Sequence, residues 1–240
     1  MKFEKLTVPS QKDLFIRKIQ DMILSGELKI GEKIPPEREL AEKMGVSRTI
    51  VNTGIAVLEN QGFLSIIPRQ GVFVNDYKRN AGADTLNAIM RIKGDIISDS
   101  DIKSVLEIRW ALEKLAIRNA ISIITEEEIR ELRDIVEELG QAESPQEAAE
   151  KAFEFQIKMA EIGDNQFLEI IIANFRLPCI AMWVRFCRIY GIHTLFEHTL
   201  ISWKLLKKGD YNEALDWVEK LTKDAIDGNY TLYEKDLKSI

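Results

Sequence analysis

The sequence predicts a mainly α protein: a short N-terminal module of helices closed by a small β-hairpin, then an antiparallel all-α helical bundle. Three observations carry this prediction. Between residues 35 and 75, two short helical patterns flank a Gly-Val-Ser turn and are followed by two β-branched runs around a Pro-containing tip. From Asp84 onward apolar residues recur at helical spacing and strand signals are almost absent. Ser, Thr or Asp precedes Glu by three residues at three places in that second stretch, the spacing of helix starts.

Taken in order, Leu14, Ile16, Ile19, Ile23 and Leu24 define a first helix over 11–25, ended by Gly26. Gly31 and Pro35-Pro36 make a turn, and Pro36 suits the start of a second helix over 37–44 with Leu40, Ala41 and Met44 inward. Gly45 supplies a left-handed residue, and Ser47 is the natural N-cap of a third helix. Ile50, Ile55, Val57 and Leu58 fall on or near its inner face, and Gly62 stops it. Gly54 inside that helix reads as a weakness of about 1 kcal/mol against Ala. Strands follow over 63–67 and 71–75, where Ile66 and Val72 suit a pleated surface, with Pro68-Arg69-Gln70 as the tip. Residues 77–83 read as a linker between a domain at 1–76 and a domain at 84–240. The second domain divides into helical segments 84–92, 101–122, 126–139, 145–162, 165–190, 193–208 and 211–229. Thr125, Ser144 and Asp210 are its clearest N-caps, Pro145 sits at a first helical position, and Pro178 is expected to kink or break 165–190.

Helix, tight turn, helix and hairpin is the layout of a winged helix-turn-helix, which places one helix in the major groove of DNA. The residues suited to that contact are Ser47, Arg48, Thr49 and Asn52 at the start of the third helix, Arg38 on the second, and Arg69, Gln70 and Gly71 at the wing. Arg48 has the fork that reads a guanine edge, hydroxyls reach phosphate, and Arg69 suits a minor groove. Charge permits this partner without arguing for it. Residues 1–80 carry 13 Lys and Arg against 10 Asp and Glu, while 81–240 carry 20 against 29. No apolar run of about 18 residues implies a membrane span, and Met1-Lys2-Phe3-Glu4-Lys5 has no apolar leader core, so a cytoplasmic protein is expected. Cys179 and Cys187, eight apart in one helical stretch, lie roughly 12 Å apart along the axis, too far for a disulfide. No phosphate loop, nucleophile elbow or Cys/His metal cluster points to an enzyme.

Pro35-Pro36-Glu37-Arg38-Glu39-Leu40-Ala41, Gly45-Val46-Ser47-Arg48-Thr49, Leu58-Glu59 with Gly62, and the Gly71 wing resemble the GntR family of bacterial repressors. The family has Arg-Glu-Ala after its Ser-Arg-Thr turn, where this chain has Asn52-Thr53-Gly54, so one expected basic contact is missing. The helical half, through Arg109-Trp-Ala-Leu-Glu113, Phe155-Gln-Ile-Lys-Met-Ala160 with Asn165, and Gly209-Asp210, resembles the FadR branch. The resemblance implies a homodimer on a pseudo-palindromic double-stranded DNA operator, controlled by a small effector.

Arg109, Arg176, Arg185 and Arg188 lie within apolar segments, and a buried Arg needs a partner. For Arg109 that partner is Glu113, one turn on, or a carboxylate or phosphate ligand. Many FadR-branch proteins hold a divalent metal, at positions that fall here near Ala152, on Gln156, at or beside His198 and near Leu221. With two histidines in the chain, that donor set is expected to be lost, and no metal or cofactor is expected. The effector residues expected are Arg109, Glu113, Gln156, Arg185 and His198, for a carboxylate or an acyl-CoA-like ligand. A metal-dependent organic-acid sensor, and a protein-interaction module without a ligand, are the alternatives.

Overall fold

The computed structural model describes residues 9–93 and 97–233. The leader-free reading of Met1 to Lys5 lies outside them. The elements are α1 (Gln11–Leu24), α2 (Glu37–Met44), α3 (Arg48–Asn60), β1 (Leu64–Ile67), β2 (Gly71–Val74), α4 (Ala83–Lys93), α5 (Asp99–Ala120), α6 (Glu126–Gly140), α7 (Pro145–Ile162), α8 (Gln166–Asn174), α9 (Arg176–Tyr190), α10 (Ile192–Lys208) and α11 (Tyr211–Asp227). The fold is mainly α, a winged helix-turn-helix followed by a helical bundle, as the sequence predicts.

In the first unit, Ser10 caps α1 in a reciprocal box with Asp13, whose carboxyl these hydrogen bonds hold below its usual range. The buried face of α1 is Phe15, Ile16, Ile19 and Ile23. Leu14, expected inward, is 53% exposed, because the face set by Ile16, Ile19 and Ile23 passes through Phe15. Gly45 ends α2 at φ +65°, and Ser47 accepts a hydrogen bond from the Ile50 amide at 3.3 Å to start α3. Val51, Ile55 and Leu58 turn α3 toward Phe15 and Ile19. Gly54 lies where α1 crosses α3: a Cβ there would stand 2.3 Å from Phe15 Cδ1. The glycine that costs helix propensity is therefore the seat for a core aromatic ring.

The wing is a two-stranded antiparallel hairpin pairing Leu64 with Val74 and Ile66 with Val72. The Val74 amide also donates to Glu32 O at 2.8 Å, and the Ile34 amide to Val72 O at 3.0 Å, so 32–34 runs beside β2. The stretch expected as a linker is bound to this unit. Asn80 Nδ2 donates to Asn75 Oδ1 at 2.9 Å, Thr85 Oγ1 donates to Gln61 O at 2.7 Å, and Ala88 and Ile89 of α4 join the core around Phe15. By packing the chain divides after Lys93, whereas the sequence reading places the division at 77–83.

In the second unit, α7 packs against α5, α6, α8, α9 and α10, and α11 packs against α5 and α10. Thr125, Ser144 and Asp210 cap α6, α7 and α11 as their spacing predicts. Segment 165–190 is broken, but at Phe175: α8 and α9 meet there at 57°. Pro178 falls in the first turn of α9, where a missing amide donor costs nothing. Among the described residues no single helix is long and apolar enough to cross a membrane; α8 and α9 reach that length and composition only as a bent pair.

Candidate nucleic-acid interface and ligand cavity

The first turn of α3 projects from its unit. Ser47, Arg48, Thr49 and Asn52 are exposed, while Val51, one residue inward, is fully buried. Arg48 has no ion-pair partner among the described residues. Thr53 donates its hydroxyl to the backbone carbonyl of Thr49. With its amide nitrogen turned toward α2, Asn52 donates to Glu37 Oε2 at 3.0 Å and to Arg48 O at 3.3 Å. The side chain at the position of the missing basic residue thus ties α2 to α3. Arg38 lies on α2, exposed, with Glu42 at 4.0 Å, a surface pair that holds it weakly.

At the wing, the Gln70 amide donates to Ile67 O at 3.0 Å, closing a four-residue turn with Pro68 second and Arg69 third. Arg69 sits at φ +64°, a region that Gly or Asn adopts far more readily. An exposed cation is held there in a conformation its side chain disfavours. Gln70 is exposed beside it, and Gly71 opens β2 at φ +118°.

The second unit encloses a cavity of about 80 Å³ between α5, α7, α9, α10 and α11. Four of the five expected effector residues line it: Arg109, Glu113, Gln156 and His198. Arg109, 8% exposed, places Nε 3.5 Å from Glu113 Oε2 and its guanidinium carbon 5.1 Å from the centre of the Trp183 ring. Neither Arg109 Nε nor Glu113 Oε2 has a hydrogen-bond partner. The Glu113 side chain is 21% exposed, yet Oε2 itself is buried, and that burial raises its carboxyl pKa against the pull of Arg109. Gln156, 4% exposed, has both amide atoms unpartnered. His198 is packed among Phe186, Trp217 and Tyr230, and burial, then Lys220, lowers its pKa against Asp224 and Glu197.

Arg185 does not line the cavity. Its Nε donates to Leu232 O at 2.5 Å, and Tyr190 donates its hydroxyl to Thr231 O at 2.7 Å. These bonds hold the segment after α11, whose Tyr230 and Leu232 form part of the cavity wall. Sequence reasoning missed that wall, since nothing in 228–233 signals a ligand. Thr199 and Ser202, which also line the cavity, were legible only as neighbours of His198. Arg176 pairs with Glu150 on α7.

The metal positions that the resemblance implies fall near Ala152, on Gln156, at or beside His198 and near Leu221, and these four residues line this one cavity. They offer one imidazole, one amide and two aliphatic side chains, which do not fit a divalent ion that needs three or four donors. Among the described residues no group of His, Cys, Asp and Glu is gathered to hold one. Cys179 and Cys187 are buried thiols, pushed by burial to pKa values of about 12 and about 11.

Residues 15–74 match the bacterial regulatory proteins of the gntR family, and residues 104–189 match the FCD domain. The chain is 30% identical over 149 residues to the HTH-type transcriptional regulator LutR of Bacillus subtilis, covering 62% of this chain and 66% of that protein. It is 29% identical over 153 residues to the Uxu operon transcriptional regulator of Escherichia coli, covering 62% and 57%. The matches therefore span less than two thirds of those relatives' own lengths. Among solved structures, Lar, which controls expression of the Listeria monocytogenes agr system, superposes with a TM-score of 0.64 over 94% of this chain and 99% of its own at 16% identity, a likeness of fold alone.

Proposed function

We propose, for a chain that belongs to the GntR family of bacterial regulatory proteins and carries an FCD domain, the role of an effector-released repressor. The family consists of transcriptional regulators and not of enzymes. In our reading a cytoplasmic homodimer sets two copies of α3 into successive major grooves of a pseudo-palindromic operator. Arg48 reads a base edge; Ser47, Thr49 and Arg38 meet the backbone, with Asn52, Gln70 and Gly71 beside them; Arg69 enters the minor groove. The observation that carries this reading is the exposed first turn of α3, with Arg48 unpaired on a helix whose opposite face is locked into the core. A second copy finds support in α8, which exposes Phe167, Ile170 and Ile171 together.

The effector in this reading is a small molecule whose carboxylate meets Arg109, with Glu113, Gln156 and His198 around it and Arg185 holding the wall. The small volume of the cavity, about 80 Å³, favours a small acid over a long acyl chain. The ligand moves the DNA-reading heads only by binding one arrangement better than another. Arg48→Ala is expected to weaken binding to an operator duplex by at least about tenfold while leaving thermal stability unchanged, because one bidentate base contact is worth about 1–3 kcal/mol. Unaltered operator affinity in that variant, measured by fluorescence anisotropy, would falsify the assignment of α3.

A further inference from the structure

The cavity is more specific than a site for any small acid. Its charged lining groups are Arg109 and Glu113, one turn apart on α5 and 3.5 Å from each other. They balance in charge, yet neither satisfies the other, since Arg109 Nε and Glu113 Oε2 are both buried without a hydrogen bond. Across from them stands Gln156 of α7, with a buried donor and a buried acceptor also unpartnered. Each such group left unpaired is costly, so the arrangement is poised for a molecule that pairs them. A ligand that offers only a carboxylate would pair Arg109 and leave Glu113 Oε2 without a donor. A ligand carrying an anionic acceptor and a cationic donor close together satisfies both.

The shape continues the argument. A second pocket of about 50 Å³ shares Glu113, Phe155, Gln156 and Ser202 with the first, and is otherwise apolar, walled by Ile117, Met159, Leu206 and Val218 among others. The polar groups of the first cavity thus sit beside an apolar pocket, which suits a charged head joined to a short aliphatic group.

We infer that this cavity takes a small zwitterion with an aliphatic side chain, an α-amino acid of the valine or leucine class. Its carboxylate lies on Arg109, its ammonium on Glu113, the Gln156 amide bridges the two, and the side chain enters the apolar pocket. This rests on reading the second unit as an effector domain, and specifies the chemistry of that effector.

The test is isothermal titration of the full chain with L-leucine and with its hydroxy-acid counterpart, 2-hydroxy-4-methylpentanoate, which replaces the ammonium by a hydroxyl and is a net anion. Leucine is expected to bind at least about tenfold more tightly. Glu113→Gln is expected to erase that preference by weakening leucine while sparing the hydroxy acid, a shift that simple loss of folding would not produce. Tighter binding of the hydroxy acid overturns the zwitterion and leaves the effector cavity standing. Binding of neither probe also overturns the zwitterion. If, in addition, no small carboxylate alters operator affinity, the effector reading itself falls.

Discussion

At the residue scale, Gly54 and Arg69 are the most instructive positions, because each defies its local propensity. Gly54 lowers the intrinsic stability of α3, and propensity alone predicts that Gly54→Ala would stabilise the protein by about 1 kcal/mol. The Phe15 ring, 2.3 Å from the Cβ such a change would add, reverses the sign. We expect Gly54→Ala to destabilise by about 1–3 kcal/mol in denaturant titration, through displacement of α1. Arg69 holds a positive φ at the wing tip, a conformation that costs on the order of 1 kcal/mol and suits glycine. Arg69→Gly is therefore expected to raise the melting temperature slightly while lowering operator affinity by about tenfold, the size of one charge-assisted contact. A loss of both stability and affinity would mean that Arg69 serves the fold and not the DNA. Both residues can be picked out of the sequence, but only Arg69 can be read there as functional; the purpose of Gly54 depends on a ring 39 positions earlier.

At the element scale, local signals set helix starts well, because a cap is a contact between residues three apart. Ser10, Ser47, Thr125, Ser144 and Asp210 each accept the hydrogen bond their spacing requires. The break between α8 and α9 shows where such signals mislead. Pro178 marks the region, yet the chain bends at Phe175, and the proline occupies a first turn that tolerates it. We expect Pro178→Ala to change helical content and stability little, within about 1 kcal/mol, since the bend does not depend on the ring. A clear rise in far-UV ellipticity, signalling one continuous helix, would show that the proline makes the break. The stretch 77–83 shows a related contrast between composition and contact. Its polar composition is that of a linker, but Asn80 donates to Asn75, and Thr85, just beyond the stretch, donates to Gln61 O.

At the scale of the whole molecule, charge and its distribution govern the encounter with DNA. The first 80 residues are weakly basic inside an acidic chain, so affinity depends on a few placed cations and not on a broad field. Binding is expected to weaken steeply with salt; if the proposed dimer places Arg38 of each head on a phosphate, Arg38→Ala is expected to flatten the log–log slope by about 2. An unchanged slope with reduced affinity would place Arg38 on a base edge and not on the backbone. The sequence by itself determined the helix-turn-helix, its wing and most helix boundaries. These are encoded in residues a few positions apart or in the simple presence of a residue type. Only the tertiary structure decided that Arg109, Glu113, Gln156 and His198 share one cavity, that Arg185 instead holds its wall, and that Gly54 seats Phe15. Those facts depend on which helix faces meet, and packing between distant segments fixes that choice.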